Sequence, residues 1–454
     1  MTELDVLLIP LIVAAACVLP IGGFARPLAV LSGVLVAATA AAAAWPVLGG
    51  GAAGVDGAAT VFLMLSGILF AVGAAASKDV RSPRAYFALW SFLQAAVAGV
   101  LVARDLILFF AFWEALVVPL ALLMWQWGGP DRRTVTSRLV LYSLTADALL
   151  LTGIVALGVG ARTFSIDALA GYRLAEGTQV TLALLFLAAF AVRLPLFPFH
   201  AWMARAYVAA PVPVAIVLAG VVSTTAIYGI VRICLPLFPR GMSDLAPYLA
   251  ALAAVGALYG AMLATRQRDM RRFIAYASLS QLDLVAVGAF LATPSGVEGA
   301  VIASVSHGLV VATLFLLATA LAQRVGSFGF GDGGLAARAP VLMTLFVVAV
   351  FAAIGVPGTS GAPGELLILA AAFARSPGIG LLVVLVSVVS AVYGAGMLRA
   401  VFFGPTVAGG TDLGWRERSL VIGLLVLVVV IGVVPGVIGQ LVERSLPAVT
   451  EMFR

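Results

Sequence analysis

The sequence predicts an all-α polytopic membrane protein of about fourteen transmembrane helices, on three observations. Apolar residues make up 63% of the 454 residues and charged residues only 10%, against about 25% charged in a soluble domain; the mean hydropathy is +1.17. Apolar runs of roughly 20 residues, the length of a helix that spans a bilayer, follow one another from end to end. The runs lack the period-two alternation of an outer-membrane barrel, and an open sheet cannot satisfy its backbone in lipid.

The spans fall near 5–22, 27–47, 58–77, 85–103, 105–126, 137–160, 180–200, 211–236, 246–266, 271–292, 298–323, 340–374, 378–403 and 419–441. The first could pass for a signal peptide, but Glu3 and Asp5 stand where basic residues belong, which predicts a retained helix. The longest extramembrane pieces lie near 161–179 and 404–418. Spans seven and twelve are interrupted, at "LPLFPFH" (Leu194–His200) and "GVPGTSGAPGE" (Gly355–Glu365). Proline removes a backbone donor and glycine loosens the chain, so both segments bring unpaired backbone to membrane depth. Broken helices five spans apart predict two inverted five-helix repeats, at 85–236 (helices 4–8) and 246–403 (helices 9–13). Residues 1–84 then hold helices 1–3 and residues 404–454 the last. Two ordinary proline kinks are the competing reading.

Basic residues set orientation. Loops after odd-numbered spans hold 17 of them and loops after even-numbered spans, with the C-terminus, hold 8. The richer side is expected to face the cytoplasm, with both termini outside a bacterial inner membrane. The net charge of +6 reflects these loops facing anionic lipid, not nucleic acid. Lys78 is the only lysine, the other basic residues being arginine; arginine cannot be deprotonated at any useful pH. Cys17 and Cys234, far apart in apolar runs, give neither a disulfide framework nor a metal site. No phosphate loop, dinucleotide fingerprint or metal-ligand spacing appears, so no cofactor of its own is expected.

An ionisable residue at a helix centre costs roughly 2.5–3.5 kcal/mol on insertion scales, so each one needs a reason. Glu114, in "FFAFWEALVVPLALLMW", has no charged neighbour within its helix. Arg193, beside the first break, is its natural counter-charge, since opposite charges in hydrocarbon must meet. Glu365 follows the second break and suits the N-terminus of the resumed half-helix. His307 is the best titrating relay group, by its ordinary pKa. A satisfied core histidine is the plainer alternative, and His200 suits a helix end. Asp147 and Asp283 each require a cavity or an arginine partner.

The segments "FFAFWEALVVPLALLMWQWG", "AFAVRLPLFPFHAWM", "DMRRFIAYASLS", "SHGLVVATLFLL" and "GVPGTSGAPGELLILAAAF" resemble the antiporter-like membrane subunits of respiratory complex I (NADH-quinone oxidoreductase), the M-type most of all. They also resemble the multisubunit cation/proton antiporters and membrane-bound hydrogenases. "GVDG" (Gly54–Gly57) resembles the entry to that family's third helix. The resemblance implies a proton path along the membrane midplane, no redox cofactor of its own, other membrane subunits of a complex I-like assembly as partners, and redox cofactors carried by partner subunits. By motif, Glu114 matches the family's helix-five acid, His307 its link histidine and Glu365 its helix-twelve acid. Arg193 falls where a helix-seven lysine belongs and Thr224 where a helix-eight lysine belongs. Both lysines of the relay are thus replaced. Asp147 and Asp283 stand where the family tends to have uncharged residues.

Three functions follow as expectations. The first is a non-redox, proton-translocating subunit whose exchange runs through Glu114, Asp147, Asp283, His307, Glu365 and water around a fixed Arg193. The second is a subunit of a cation/proton antiporter or hydrogenase, where the extra aspartates could bind Na⁺. The third is a structural paralogue that no longer pumps.

Overall fold

A computed structural model describes residues 3–19, 22–48, 56–329, 334–403 and 411–443. The helices are α1 (Glu3–Val18), α2 (Ala25–Leu48), α3 (Gly57–Ala76), α4 (Pro83–Val102), α5 (Leu106–Trp127), α6 (Arg132–Ala161), a short α7 (Ile166–Ala170), α8 (Glu176–Arg193) and α9 (Met203–Ala209). A single span then runs through α10 (Val212–Val217), α11 (Thr224–Gly229) and α12 (Leu235–Leu237), joined by two π-helical turns. The rest are α13 (Pro239–Thr265), α14 (Met270–Phe290), α15 (Pro294–Val325), α16 (Pro340–Ala353), α17 (Gly361–Arg375), α18 (Pro377–Phe402), α19 (Trp415–Val433) and α20 (Gly436–Glu443). Among the described residues there is no strand, only two isolated β-bridges.

Eleven described helices are long and apolar enough to cross a membrane, or twelve with α19 and α20 taken as one span bent by 71°. The chain is a multi-pass membrane protein. The expected fourteen exceeds that number because α1 and α16 are shorter apolar helices. The entry to the third helix at Gly54 and Val55 and residues 404–410 of the 404–418 loop lie outside the described residues.

The two predicted interruptions are present. Helix α8 stops at Arg193, and a short 3₁₀ turn, Phe199–Trp202, leads into α9. Helix α16 stops at Ala353 and α17 resumes at Gly361. The inner wall is α15 together with the α10–α12 span, whose apolar residues are almost all buried. The outer helices expose large aliphatics such as Val388, Val429 and Leu141, which is what a lipid-facing surface requires.

The same local device occurs twice. Asp105 caps α5, accepting from the N–H of Ile107 at 2.8 Å, and bridges Ser165. Asp269 caps α14, accepting from the N–H of Arg272 at 2.9 Å, and bridges Gly329. Both members of the second bridge lie 164 positions after those of the first. Helix order repeats with it: α4, α5, α6, broken α8–α9 and α10–α12 are followed by α13, α14, α15, broken α16–α17 and α18. A side-chain acceptor at each N-terminus satisfies donors that the helix itself leaves unpaired.

Outside the membrane, Asp412 holds the start of α16. Its carboxylate accepts the N–H of Val341 at 2.9 Å and of Leu342 at 3.1 Å. Partial burial works against its charge, but these donors, the Leu413 N–H and the Arg418 guanidinium hold its carboxyl below the ordinary carboxylate range. A depressed pKa gives stability that is present above the unfolded-state value, about 3.9, and is lost as pH falls through the folded-state value. Asp412→Asn is therefore expected to lower stability by about 1–2 kcal/mol at pH 7. The difference from wild type should shrink as pH falls below the unfolded-state value and through the depressed folded-state one, which a series of thermal melts from about pH 2 to pH 7 would check.

Candidate functional site

Two groups of polar side chains lie inside the helical body, one at each broken helix. The first is built on α5, α6 and the last residue of α8. Arg193 Nη2 donates to Asp147 Oδ2 at 3.1 Å, an ion pair with 5% and 2% side-chain exposure. Trp113 Nε1 donates to Asp147 Oδ1 at 2.7 Å, and the Arg193 guanidinium lies 4.2 Å from the centroid of the Trp113 ring. Both oxygens of Asp147 are thus occupied, and the arginine gains a cation–π contact as well. Phe109 and Phe190 pack around Trp113 and fix its ring.

Glu114 corrects an expectation. Its direct contact is with the Asp147 carboxyl, and Arg193 is within electrostatic range rather than its bonded partner. The reason is position: Asp147 is fully buried at the α6–α8 contact, where an unpaired charge is least tolerable, whereas Glu114 is half-buried. A hydrogen bond between two carboxyl groups needs a proton on one of them. The three groups therefore form one set, two neighbouring acids around one permanent cation.

The second group lies between α14, α15, α17 and α18. A cavity of about 30 Å³ is lined by Ser278, Gln281, Ser306, His307, Glu365 and Tyr393, room for one or two waters. The Gln281 side chain bonds Glu365 and donates to the Ala353 carbonyl at 3.0 Å, tying α14 to the end of α16. Ser306 and Ser360 hydroxyls meet at 2.7 Å. A wider cavity of about 550 Å³ opens at Thr265–Arg268 and shares Tyr393 with the inner one.

Glu365 does not cap α17 as expected. It is the fifth residue of that helix, and Ser360 occupies the cap. Its carboxylate crosses the break and lies against Gly355, where φ is +68° and an added Cβ would collide with the carboxylate. Only glycine suits both the left-handed backbone and that approach.

His307 owes its place to the π-helical turn Leu218–Val222. Such a turn leaves carbonyls without their usual helix partners, and side chains take them up. Ser223 Oγ donates to Leu218 O at 3.0 Å, and Thr224 Oγ1 to Gly220 O and Val221 O at 3.1 and 2.9 Å. The His307 ring bonds Ala219 O. Gly220 and Gly308 meet so closely that neither accommodates a Cβ, which brings α15 against this turn. Nε2 of His307 is buried without a hydrogen-bond partner among the described residues and borders the inner cavity.

Thr224 thus uses its hydroxyl within its own span, and it is bonded to neither group. Asp283 has no arginine partner: Oδ1 accepts the Phe197 N–H at 3.2 Å, and Oδ2 has no partner among the described residues. Its position closes the broken end of α8 where proline interrupts the ladder. His200, as expected, sits at a helix end, stacked on Phe197 and edge-on to Tyr259. Cys17 and Cys234 are buried and unpaired.

Sequence reasoning missed Trp113, Gln281, Tyr393 and the two serines. Trp113 adjoins Glu114 in the quoted segment, and Gln281 sits in "SQLD" beside Asp283, so both had a local signal. Tyr393 lies in an unbroken apolar run and gave none. Among the described residues no three His, Cys, Asp or Glu side chains converge as metal ligands would. The chemistry on offer is proton exchange at carboxyls, an imidazole and hydroxyls.

Discontinuous helices with ionisable groups at their breaks, inside a many-helix membrane body, define the class of protein: a polytopic membrane protein of the transporter type. Comparison with known sequences narrows it. The family described as "NADH:quinone oxidoreductase/Mrp antiporter, TM" matches residues 103–391, and the chain belongs to that family. It is 32% identical to NADH-quinone oxidoreductase subunit M of Rhodobacter capsulatus over 419 residues, 88% of this chain and 82% of the relative. It is also 32% identical to the Escherichia coli K12 subunit M over 400 residues, 84% and 79% of the two chains. A chain of respiratory complex I from Thermus thermophilus superposes with a TM-score of 0.93, at 28% identity and 100% coverage of both chains. A chain of the Mrp complex from Dietzia sp. shares the fold, with a TM-score of 0.86 at 21% identity, covering 99% of this chain and 98% of the other.

Proposed function

We propose that this chain is the antiporter-like, M-type membrane subunit of a complex I-like NADH:quinone oxidoreductase, moving protons without redox chemistry of its own. Long relatives carrying that name support the assembly. The observation that carries the mechanism is the Glu114–Asp147–Arg193 set, two acids around one cation at a broken helix. In this reading Arg193 is a fixed charge that holds Asp147, and Glu114 is the member that loads and releases a proton. His307 and Glu365 form the second exchange point, with Gln281 positioning the carboxyl. Tyr393 stands between the inner cavity and the wider one at Thr265–Arg268, which makes that face the entry route to Glu365. Thr224 shapes the π-helical turn that seats His307, and Asp283 holds the α8 break.

The topology we infer has fourteen crossings, counting α1 and the broken α16–α17 pair. Residues 85–236 and 246–403 are then inverted repeats, the basic loops are cytoplasmic and both termini are outside. Neighbouring membrane subunits flank the chain, and redox-active partners supply the drive.

Glu114→Gln in the intact assembly, reconstituted into liposomes, tests this. Removing a proton-transfer group slows transfer on the order of 100-fold or more, so protons moved per electron should fall while the subunit still assembles. An unchanged ratio would sink the proposal. The subunits that copurify with the chain decide between an oxidoreductase and an antiporter assembly.

A further inference from the structure

Five helix ends meet at one corner of the molecule: the starts of α2, α10 and α19 and the ends of α3 and α15. Together they enclose a cavity of about 430 Å³. Arg26, Lys78 and Arg416 stand around it, and none of the three has a carboxylate within ion-pair distance among the described residues. The one acid that shares the cavity, Glu417, is engaged by Arg324 at 2.8 Å. The sole lysine of the chain is therefore placed here, beside two arginines, and the single carboxylate of Glu417, already paired with Arg324 and within electrostatic range of Lys78, leaves positive charge in excess at this corner.

Charge and grease are separated along the helix axes. The cations sit at the helix ends, whereas the cavity wall farther in is aliphatic, with Leu316, Leu420 and Val421. Trp415, at the start of α19 and 82% exposed, marks the level of the membrane interface, where tryptophan concentrates. Polar head groups and acyl chains are separated in the same order. A free phosphate has no use for the aliphatic wall, and a cavity this wide does not wrap so small an anion.

We propose that this corner is a binding site for an anionic glycerophospholipid, its phosphate held by Arg26, Lys78 and Arg416 and its acyl chains lying against α15 and α19. The lipid would pin α2, α3 and α19, which lie outside the repeated five-helix units, to the inner helix α15. The site is independent of the proton path and stands or falls separately from it.

Native mass spectrometry of the delipidated, intact assembly tests this by titration with phosphatidylglycerol, with phosphatidylcholine and with inorganic phosphate as competitor. Each cation near an anionic lipid surface contributes enough to change affinity about fivefold. The triple variant R26Q/K78Q/R416Q is expected to bind one fewer tightly held phosphatidylglycerol, with affinity weaker by about 100-fold, while Lys78→Arg retains it. Should the triple variant not assemble, Lys78→Gln alone is expected to weaken that lipid about fivefold. Unchanged phosphatidylglycerol binding in the variants overturns the proposal, and it would show the corner covered by a neighbouring subunit. Equal binding of phosphatidylcholine, or displacement by phosphate alone, overturns it too.

Discussion

Replacing Arg193 by leucine is expected to destabilise the subunit by about 3–5 kcal/mol, enough to lose most of it from assembled membranes. The argument rests on what would be left behind. Asp147 would retain only the Trp113 donor, with Glu114 in contact on its other side. With one proton between them the two acids keep a negative charge that no cation offsets, and with none they repel each other. The Trp113 ring would also lose its guanidinium at 4.2 Å. Arg193→Lys should be milder but not neutral, because an ammonium lacks the planar fork and the same stacking. The double variant Asp147→Asn, Arg193→Leu should recover a large part of the loss, since removing both partners leaves no isolated charge. Thermal melts of the solubilised assembly, run as a double-mutant cycle, measure the coupling. If Arg193→Leu melts like wild type, the pair does not hold this region together.

The second large effect is expected at the other break. Glu365→Gln should leave the fold nearly unchanged and remove proton exchange at the inner cavity, lowering proton movement through this subunit on the order of 100-fold or more. The amide is close to the carboxyl in size and can still bond Gln281, so packing around Gly355 and the Gln281–Ala353 link at 3.0 Å are preserved. What it cannot do is give up and regain a proton. Quinone reduction and proton uptake measured on the same liposomes separate the two outcomes. Loss of both together would point to failed assembly, which the recovery of intact complex on a native gel checks. Retention of both would exclude Glu365 from the path.

These two variants probe opposite properties of the same design. Arg193 is a charge that cannot be discharged, so its removal is felt as lost structure. Glu365 lines a cavity large enough for water, so its neutralisation is felt as lost exchange. In the proposed reading Glu114 belongs with the second kind: it is half-buried and adjoins Asp147, whose two oxygens are held by Arg193 and Trp113.

Much of this was legible in the residues. Apolar runs of bilayer length left helices as the only way to satisfy the backbone, and the proline–glycine clusters marked both interruptions, because neither residue sustains a helix ladder. Each isolated charge in an apolar run announced a buried site, since its insertion cost demands a partner. Which partner it finds was another matter. Asp147 and Arg193 are 46 residues apart and Gln281 and Ala353 are 72 apart, and no local pattern encodes such pairings. The expectation that Arg193 bonds Glu114 named two members of the set but not the bonded pair, which is Arg193 with Asp147.

The threonine at 224 shows the limit from the other side. Read along the chain it stands where a relay lysine was expected, but its hydroxyl serves the carbonyls of a π-helical turn, a feature of backbone geometry that composition does not announce. By itself, the sequence determined the class of fold, the breaks and the inventory of ionisable groups, because those follow from hydropathy and from backbone chemistry at single positions. Only the tertiary structure decided which acids adjoin, which groups are locked in a pair and where the cations gather, because these depend on side chains that meet across helices far apart in the chain.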